Sequence, residues 1–404
     1  GLLGEAEVFC VSGTASMLLI VVMYGSGTDY CLFLINRFRE ELANGQDSSG
    51  GVRRTVRYVG EAITNSAGTT VTGFIAMATA QLGLFNTAGP TLAIGIVTSL
   101  LAGLTLTPSI LGLLGQRAFW PGKATQREAS FIYKRTSQFI SARPLLTIGV
   151  VVLALAPFAV YGAGYQSTYD TLADLPEDVA SVQGFRLMEE HLGAGNIQPT
   201  TIVAELDAAG DPLAQVTALT AEITALDGVA SVRSASQPFG DMPMSANISE
   251  EEASALQAQG EAMAATFLST NADAARFEVV LADNPYSLTA MDTIDDIRVL
   301  LDETATGETS IVGATAINTD IRDTLQLDLQ RTIVLVIGGI FIVLAVMLRS
   351  LVAPMYLIAT ILLSFATTIG ITRIASEVLW DADQMVWWVP FFIFVFLVAL
   401  GIDY

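Results

Sequence analysis

Seven apolar stretches divide this chain, and each is long enough to cross the hydrocarbon core of a membrane as a helix. They lie at about 8–36, 62–85, 90–114, 144–164, 332–348, 353–374 and 386–404. A hydrophobic share of 52% and a mean hydropathy of +0.55 are hard to reconcile with a soluble globular domain of 404 residues. The sequence therefore predicts a polytopic α-helical membrane protein.

A strongly acidic block separates the fourth apolar stretch from the fifth. Of the 40 acidic residues, 28 lie between Tyr165 and Gln330, against five arginines there, which explains the net charge of -21. Segments typical of strands and amphipathic helices alternate within this block. Strands are predicted at 199–206, 229–235, 275–282 and 309–314, with helices at 211–228, 249–268 and 286–305. We expect a compact α+β domain of the split βαβ kind at 165–331.

Lysine and arginine gather in two loops, which sets the expected orientation in the membrane. The first loop carries Arg37, Arg39, Arg53, Arg54 and Arg57, and a basic linker at 116–143 carries Arg117, Lys123, Arg127, Lys134, Arg135 and Arg143. Because positive loops stay in the cytoplasm, both are expected inside and the block at 165–331 outside. The predicted membrane parts are then 1–115, with three spans, 144–164, and 332–404, whose last span is truncated. An acidic chain without a basic stripe also argues against nucleic acid as a partner.

One carboxylic acid lies inside the first apolar stretch, in the sequence GSGTDY at 25–30. An ionised Asp at the centre of a membrane helix costs about 2.5–3.5 kcal/mol on insertion scales, so such acids usually face a bundle interior and have a function. Asp29 is therefore a candidate proton carrier, and the hydroxyl of Tyr30 can assist it. The alternative is that Asp29 only joins helices through hydrogen bonds.

The seventh stretch ends with a second acid in a similar setting. Asp403 and Tyr404 follow Gly401 as Asp29 and Tyr30 follow Gly27, and both pairs lie on helices expected to run inwards. Counting about 1.5 Å per helical residue gives the two acids broadly similar depths. A repeated acid at matched depth favours a proton relay over simple packing and suggests an internal repeat of the kind that transporters use.

A run of hydroxyl residues in the second stretch is a weaker candidate for the same function. It consists of Ser66, Thr69, Thr70 and Thr72. These hydroxyls could bridge to the relay acids, or they could bond back to their own helix while small residues pack against a neighbour. The second interpretation is slightly favoured.

The sequence lacks the signatures of soluble enzymes. It contains no phosphate-binding GxxxxGK[ST] loop, and its single histidine, His191, lies among polar residues of the acidic block, where an exposed side chain is expected. One histidine and two cysteines do not make a metal cluster. We therefore predict no metal site, no cofactor and no catalytic residue, with protons as the coupling ion.

Several segments resemble the MMPL (mycobacterial membrane protein large) family of the RND transporter superfamily. GSGTDYCLFLINRFREEL is similar to its fourth-helix motif and ALGIDY to the counterpart in its tenth helix. The segments at 92–115 and 343–370 resemble its sixth, eighth and ninth helices, and IVGATAINTDI is the most family-like part of the acidic block.

This resemblance implies an RND-type helix bundle with an extracytoplasmic porter domain, cut from a longer protein between helices four and ten. It implies a secondary active transporter that exports lipids or lipid-like molecules from the bacterial cytoplasmic membrane, driven by protons. Asp29, Tyr30, Asp403 and Tyr404 would then form the relay. The implied partners are a lipid-like substrate, membrane lipids, the missing N- and C-terminal parts of the protein, and envelope or accessory proteins.

Two other functions stay open on the sequence alone. A membrane sensor or secretion accessory, SecDF-like or sterol-sensing, could use the same relay without moving a small substrate. An intramembrane aspartyl protease would also need two membrane acids, but it carries Gly-x-Gly-Asp, and here Thr28 separates Gly27 from Asp29.

Overall fold

The computed structural model describes most of the chain, and its residues form two compact units. It describes residues 13–121, 131–170, 172, 175–241, 250–380, 382 and 384–401. One unit is drawn from Gly1–Gln166 and Thr324–Tyr404, and the other from Ser167–Asp323. The second unit therefore interrupts the first, as the position of the acidic block predicts.

Helices dominate the structure. They are α1 Gly13–Ala43, α2 Ser48–Met77, α3 Gly83–Leu114, α4 Phe131–Ala142, α5 Pro144–Gly162, α6 Ala180–Leu192, α7 Ala194–Ile197, α8 Pro212–Thr224, α9 Glu250–Ala264, α10 Leu288–Thr304, α11 Ala314–Leu348, α12 Val352–Trp380 and α13 Val389–Leu400, with short 3-10 helices at Gly115–Phe119 and Ala265–Phe267. The strands are β1 Gln166–Thr168, β2 Thr200–Glu205, β3 Val229–Arg233, β4 Ala274–Leu281, β5 Thr309–Val312 and β6 Gln384–Val386.

Five of the described helices are long and apolar enough to cross a membrane: α1, α3, α5, α11 and α12. The apolar helix α13 is shorter, and α2, which contains most of the predicted span at 62–85, does not meet the same measure. Large apolar side chains such as Leu145 and Leu153 are exposed on α5, which fits a helix surrounded by lipid. The described part of the first unit is thus a bundle of membrane-type helices.

The predicted span at 62–85 is wrong at its C-terminal end. The helix ends at Met77, a turn occupies 78–82, and Phe85 already belongs to α3. Asn86 donates from its amide to the carbonyl oxygens of Ala78 and Ala80, at 2.6 and 3.2 Å, and so holds the turn closed. Hydropathy cannot detect this break because the turn residues are nearly as apolar as the helices beside them.

Close helix contacts in the first unit depend on small residues. In α5 and α12, Gly162 and Gly370 face each other, and a Cβ atom on Gly370 would overlap the carbonyl oxygen of Phe158. Helices α1, α2 and α3 pack together, and α13 packs on α2. They share a cluster of buried aliphatic and aromatic side chains, in which the Phe85 and Phe391 rings stack at 3.7 Å between centroids. Dispersion contacts and small residues at interfaces are the expected source of stability in a membrane bundle.

The second unit contains a four-stranded antiparallel sheet in the order β3-β4-β2-β5. Thr200 of β2 pairs with Val279 of β4, and Thr201 pairs with Val312 of β5. The core combines β2 and β4 with α8 and α10, and Phe277 is fully buried in it. The two strand-helix-strand units are β2-α8-β3 and β4-α10-β5, and their strands interleave in the sheet. This is a split βαβ arrangement.

Helix caps explain why the second unit folds close to the predicted boundaries. Asp211 accepts a hydrogen bond from the N–H of Leu213 at the start of α8, and Ser287 accepts one from Ala290 at the start of α10. Gly228, at a φ of 87°, leads into β3, although α8 itself ends earlier than predicted, at Thr224. The predicted fold class, a helical membrane protein with an inserted α+β domain, is confirmed.

Candidate functional site

The segment GSGTDY lies within the continuous helix α1, so its glycines do not break the helix. Tyr30 is 2% exposed, and a Cβ atom on Gly103 of α3 would lie 3.4 Å from the Tyr30 Cβ atom. In the same way, a Cβ atom on Gly27 would lie 3.6 Å from the hydroxyl oxygen of Ser99 in α3. The small residues beside Asp29 therefore admit α3 at close range.

Asp29 lines a cavity of about 280 Å³ between α1 and α2. The lining consists of Asp29, Tyr30, Phe33, Tyr58, Val59, Ala62, Ile63 and Ser66. Most of this surface is apolar, and the polar groups on it belong to one carboxyl and three hydroxyl side chains. An acid inside a helix bundle is costly to keep there, so the half-buried Asp29 marks this cavity as the candidate functional site.

Ser66 presents a hydroxyl group to this cavity. Its oxygen is buried and has no hydrogen-bond partner among the described residues. Its carbonyl oxygen accepts from the hydroxyls of Thr69, at 2.7 Å, and Thr70, at 3.1 Å. Buried hydroxyls normally find a partner, so the Ser66 hydroxyl is available to bond a group in the cavity once its side chain turns towards it.

Thr70 connects α2 to the helix that leads to the second acid. Its hydroxyl is buried and lies 2.9 Å from the carbonyl oxygen of Ala399 in α13, to which it can donate. A Cβ atom on Gly73 would lie 3.0 Å from the Ala399 Cβ atom, which shows how closely the two helices approach. Asp403 and Tyr404 follow Ala399 by four and five residues, but both lie outside the described residues.

The other two predicted hydroxyls serve their own helix. Thr72 donates to the carbonyl oxygen of Gly68 at 2.8 Å, and Thr69 donates to the carbonyl oxygen of Ser66, which lies on the same helix. Bonds of this kind satisfy a hydroxyl inside a helix without a second partner. Among the four predicted hydroxyls, Ser66 and Thr70 therefore make the contacts relevant to the site.

Charged residues meet at the end of α1 that is expected to face the cytoplasm, where the sequence marks Arg37 and Arg54 only as topology signals and does not single out Glu41. Glu41 is 3% exposed, and its carboxylate accepts from Arg37 at 2.6 Å and lies 3.7 Å from the Arg54 guanidinium. Arg37 also lies over the ring of Tyr58, which lines the cavity, at 5.4 Å. The spacing of Arg37 and Glu41, four residues apart on one helix, is the signal that could have revealed half of this cluster.

These features define a class: a helical membrane protein whose bundle encloses a carboxyl-lined cavity and carries an inserted α+β domain. The sequence matches the MMPL family over residues 1–147 and 173–404. The chain therefore belongs to the MMPL family, and the resemblance seen in its motifs is confirmed.

Two of three curated relatives align with the whole chain, and the third with part of it. A Streptomyces coelicolor membrane protein is 31% identical over 100% of this chain and 45% of its own length. The apo-petrobactin exporter of Bacillus anthracis is 27% identical over 100% of this chain and 53% of its own length. The Mycobacterium tuberculosis protein MmpL12, named as a transport protein, is 30% identical over 57% of this chain and 20% of its own length. The chain thus spans about half the length of the first two relatives, and transport is the activity named among these proteins.

Solved structures of SecDF share a similar arrangement at low sequence identity. SecDF from Thermus thermophilus, a translocon-associated membrane protein, aligns with a TM-score of 0.44 and 13% identity over 95% of this chain and 41% of its own. SecDF in its super-membrane-facing form aligns with a TM-score of 0.46 and 14% identity over 99% of this chain and 48% of its own. Neither likeness decides anything about function.

Proposed function

We propose that the protein containing this chain is a secondary active transporter that uses protons to export lipids or lipid-like molecules. The observation that carries the proposal is the cavity between α1 and α2, where Asp29 lies with Tyr30 and the Ser66 hydroxyl in an otherwise largely apolar lining. An acid in that position is expensive to keep in a membrane unless it has a function.

In this proposal Asp29 carries the proton and Tyr30 assists it. Asp403 and Tyr404 form the second half of the relay, because they repeat the same pair in the sequence and follow the segment of α13 that packs on α2. Protonation removes a buried charge and so changes which packing of the helices is preferred. A proton crossing the membrane yields about 2.3 kcal/mol per 100 mV, which is enough to bias two arrangements that differ by a few kcal/mol.

The hydroxyl residues have unequal parts in the relay. Ser66 can bond a relay group directly from the cavity wall, while Thr70 holds α13 against α2 through the Ala399 carbonyl. Thr69 and Thr72 support the helix itself. The hydroxyl bridge considered from the sequence is therefore proposed for Ser66 and Thr70 only.

The cargo and surroundings follow from the family rather than from the cavity. We propose a hydrophobic or amphiphilic cargo, a location in the bacterial cytoplasmic membrane, and an extracytoplasmic position for the α+β unit. Membrane lipids, envelope or accessory proteins, and the further parts of the longer protein are the proposed partners. A relative of this chain is named for the export of apo-petrobactin, so a polar small-molecule cargo is the alternative within the transporter class.

Transport by the full-length protein in proteoliposomes tests the proposal. Lipid and siderophore-like cargo would be compared for wild type, Asp29→Asn and Asp403→Asn, with an acid-outside gradient imposed. Glu40→Gln is the matched control, because Glu40 lies on the same helix and its side chain is 59% exposed. Both Asp variants should lose gradient-driven transport while the control keeps it. Full gradient-driven transport by Asp29→Asn would refute the assignment, and a relay that moves protons without either cargo would favour the sensor or secretion alternative.

A further inference from the structure

The first unit contains a fully buried acid that lies outside the cavity already described. Asp328 belongs to α11 and has no exposed surface. Its carboxylate accepts the backbone N–H of Gln81 at 2.8 and 3.0 Å from its two oxygens, and the N–H of Leu82 at 2.9 Å. Within the described part of the chain, no Lys or Arg forms an ion pair with it.

The two N–H groups that Asp328 binds belong to the residues directly before a helix. Leu82 directly precedes the first residue of α3 and makes no side-chain cap of its own. A carboxylate at this place satisfies both donors and interacts favourably with the positive end of the helix dipole. Asp328, from another helix, thus binds the segment that leads into α3, and together with Asn86 it holds the turn at 78–82.

This turn joins the two helices that surround the relay residues of α1. Helix α2 supplies the cavity wall opposite Asp29. Helix α3 packs on the other side, where Gly103 contacts Tyr30 and the Thr107 hydroxyl lies 3.1 Å from the thiol of Cys31. A change in the turn at 78–82 alters the angle between α2 and α3, and therefore the space around Asp29 and Tyr30.

We propose that Asp328 is a positioning residue for the relay: by holding the 78–82 turn, it fixes α2 and α3 around Asp29 and Tyr30. This role rests on the proposed proton-driven function, but the hydrogen bonds of Asp328 are the same whichever cargo the protein transports. Asp328 has a structural part only, through the hydrogen bonds that its two oxygens accept from backbone N–H groups.

The test replaces Asp328 in the full-length protein and reads the position of α3 through Cys31. Asp328→Asn keeps the size of the side chain but turns one acceptor oxygen into a donor, which opposes the backbone N–H groups. The control is Asp320→Asn, on the same helix, where the carboxylate is 65% exposed. The rate at which N-ethylmaleimide alkylates Cys31, followed by peptide mass spectrometry, reports whether α3 has moved from α1.

We expect Asp328→Asn to raise the alkylation rate of Cys31 by roughly tenfold or more, the factor that follows from losing a hydrogen bond to a charged group. Asn86→Ala, which loosens the same turn, should raise it in the same direction, and the double variant should show less than the product of the two effects because both act on one turn. Asp320→Asn should leave the rate unchanged.

A second readout separates positioning from a general loss of folded protein. In proteoliposomes, the amount of substrate moved per proton taken up should fall in Asp328→Asn, whereas a loss of folded protein lowers both fluxes in proportion. Equal Cys31 rates in Asp328→Asn, Asn86→Ala and Asp320→Asn would overturn the proposal. If Asp328→Asn does not fold, Asn86→Ala decides alone.

The Cys31 measurement needs no transport, so the two proposals can fail separately. If Asp29→Asn keeps full transport while Asp328→Asn raises the Cys31 rate, the relay assignment fails and the role of Asp328 in positioning α3 stands.

Discussion

The contact between Thr70 and Ala399 is the point at which α2 meets the helix leading to the second acid, so Thr70→Val is the most informative single substitution there. Valine keeps the shape of threonine and replaces the hydroxyl with a methyl group, which cannot donate a hydrogen bond. The buried carbonyl oxygen of Ala399 then loses the donor that lies 2.9 Å away. A hydrogen bond of this kind is worth about 0.5–1.5 kcal/mol, and leaving its partner buried and unsatisfied costs about 1–3 kcal/mol.

Thr72 provides the matched control two residues further along the same helix. Among the described residues its hydroxyl bonds the Gly68 carbonyl of its own helix alone, at 2.8 Å, so Thr72→Val should change stability by about 0–0.5 kcal/mol. The two variants remove the same chemical group from the same helix. Their difference, about 1–2 kcal/mol, isolates the contact with α13.

The assay combines thermal unfolding in detergent with gradient-driven transport, both on the full-length protein. Thr70→Val should unfold at a lower temperature than Thr72→Val and transport less cargo per proton, because α13 is held less firmly against α2. Thr70→Ser, which restores the hydroxyl, should recover most of the loss. If Thr70→Val and Thr72→Val behave alike in both measurements, the Thr70 hydroxyl does not join the two helices.

Two further substitutions probe the packing around the site. Glu41→Gln removes the buried charge that holds two arginines together at the end of α1, so it should lower the unfolding temperature, with a loss of stability of about 1–3 kcal/mol. Glu40→Gln, at an exposed position, should leave the unfolding temperature unchanged. Equal effects of the two variants would show that the contacts of Glu41 with Arg37 and Arg54 do not stabilise the fold. Gly370→Ala places a methyl group where the Phe158 carbonyl lies, so it should reduce the yield of folded protein on size-exclusion chromatography. Gly149→Ala is the control and should be neutral, because its methyl group would meet no described atom within 4 Å. A fully folded Gly370→Ala variant would show that α5 and α12 are not in close contact.

The α+β unit was predictable because its signals are local. Caps such as Asp211 and Ser287, the glycine at 228 and the alternation of apolar residues each act over a few residues, so the predicted strands and helices recur in the structure to within a few positions. The helices α6 and α7, at 180–197, were not predicted. The order of the strands in the sheet follows only from the general pattern of a split βαβ fold.

The first unit was less predictable because its breaks and contacts depend on distant residues. The turn at 78–82 is held by Asp328, about 250 residues along the chain, and hydropathy treats its residues as membrane. Helix α11 begins at Ala314, well before the predicted span at 332–348, since its first turns are polar and the apolar criterion excludes them.

The site was visible from the sequence through the energetic cost of its acid, the repeat of the Asp-Tyr pair and the resemblance of GSGTDY to a family motif. That cost singles out Asp29, and the repeat of the pair singles out Asp403, which lies outside the described residues and stays a prediction. The cavity, the open hydroxyl of Ser66 and the burial of Glu41 could not be predicted, because each depends on which face of one helix meets another.

The central claim is that Asp29 carries the proton that drives transport. The most direct measurement is proton uptake by proteoliposomes containing the full-length protein, followed with a pH-sensitive dye inside the vesicles after substrate is added. Wild type and Glu40→Gln should show uptake that depends on substrate, and Asp29→Asn should show none. Substrate-dependent proton uptake by Asp29→Asn at the wild-type rate would contradict the claim.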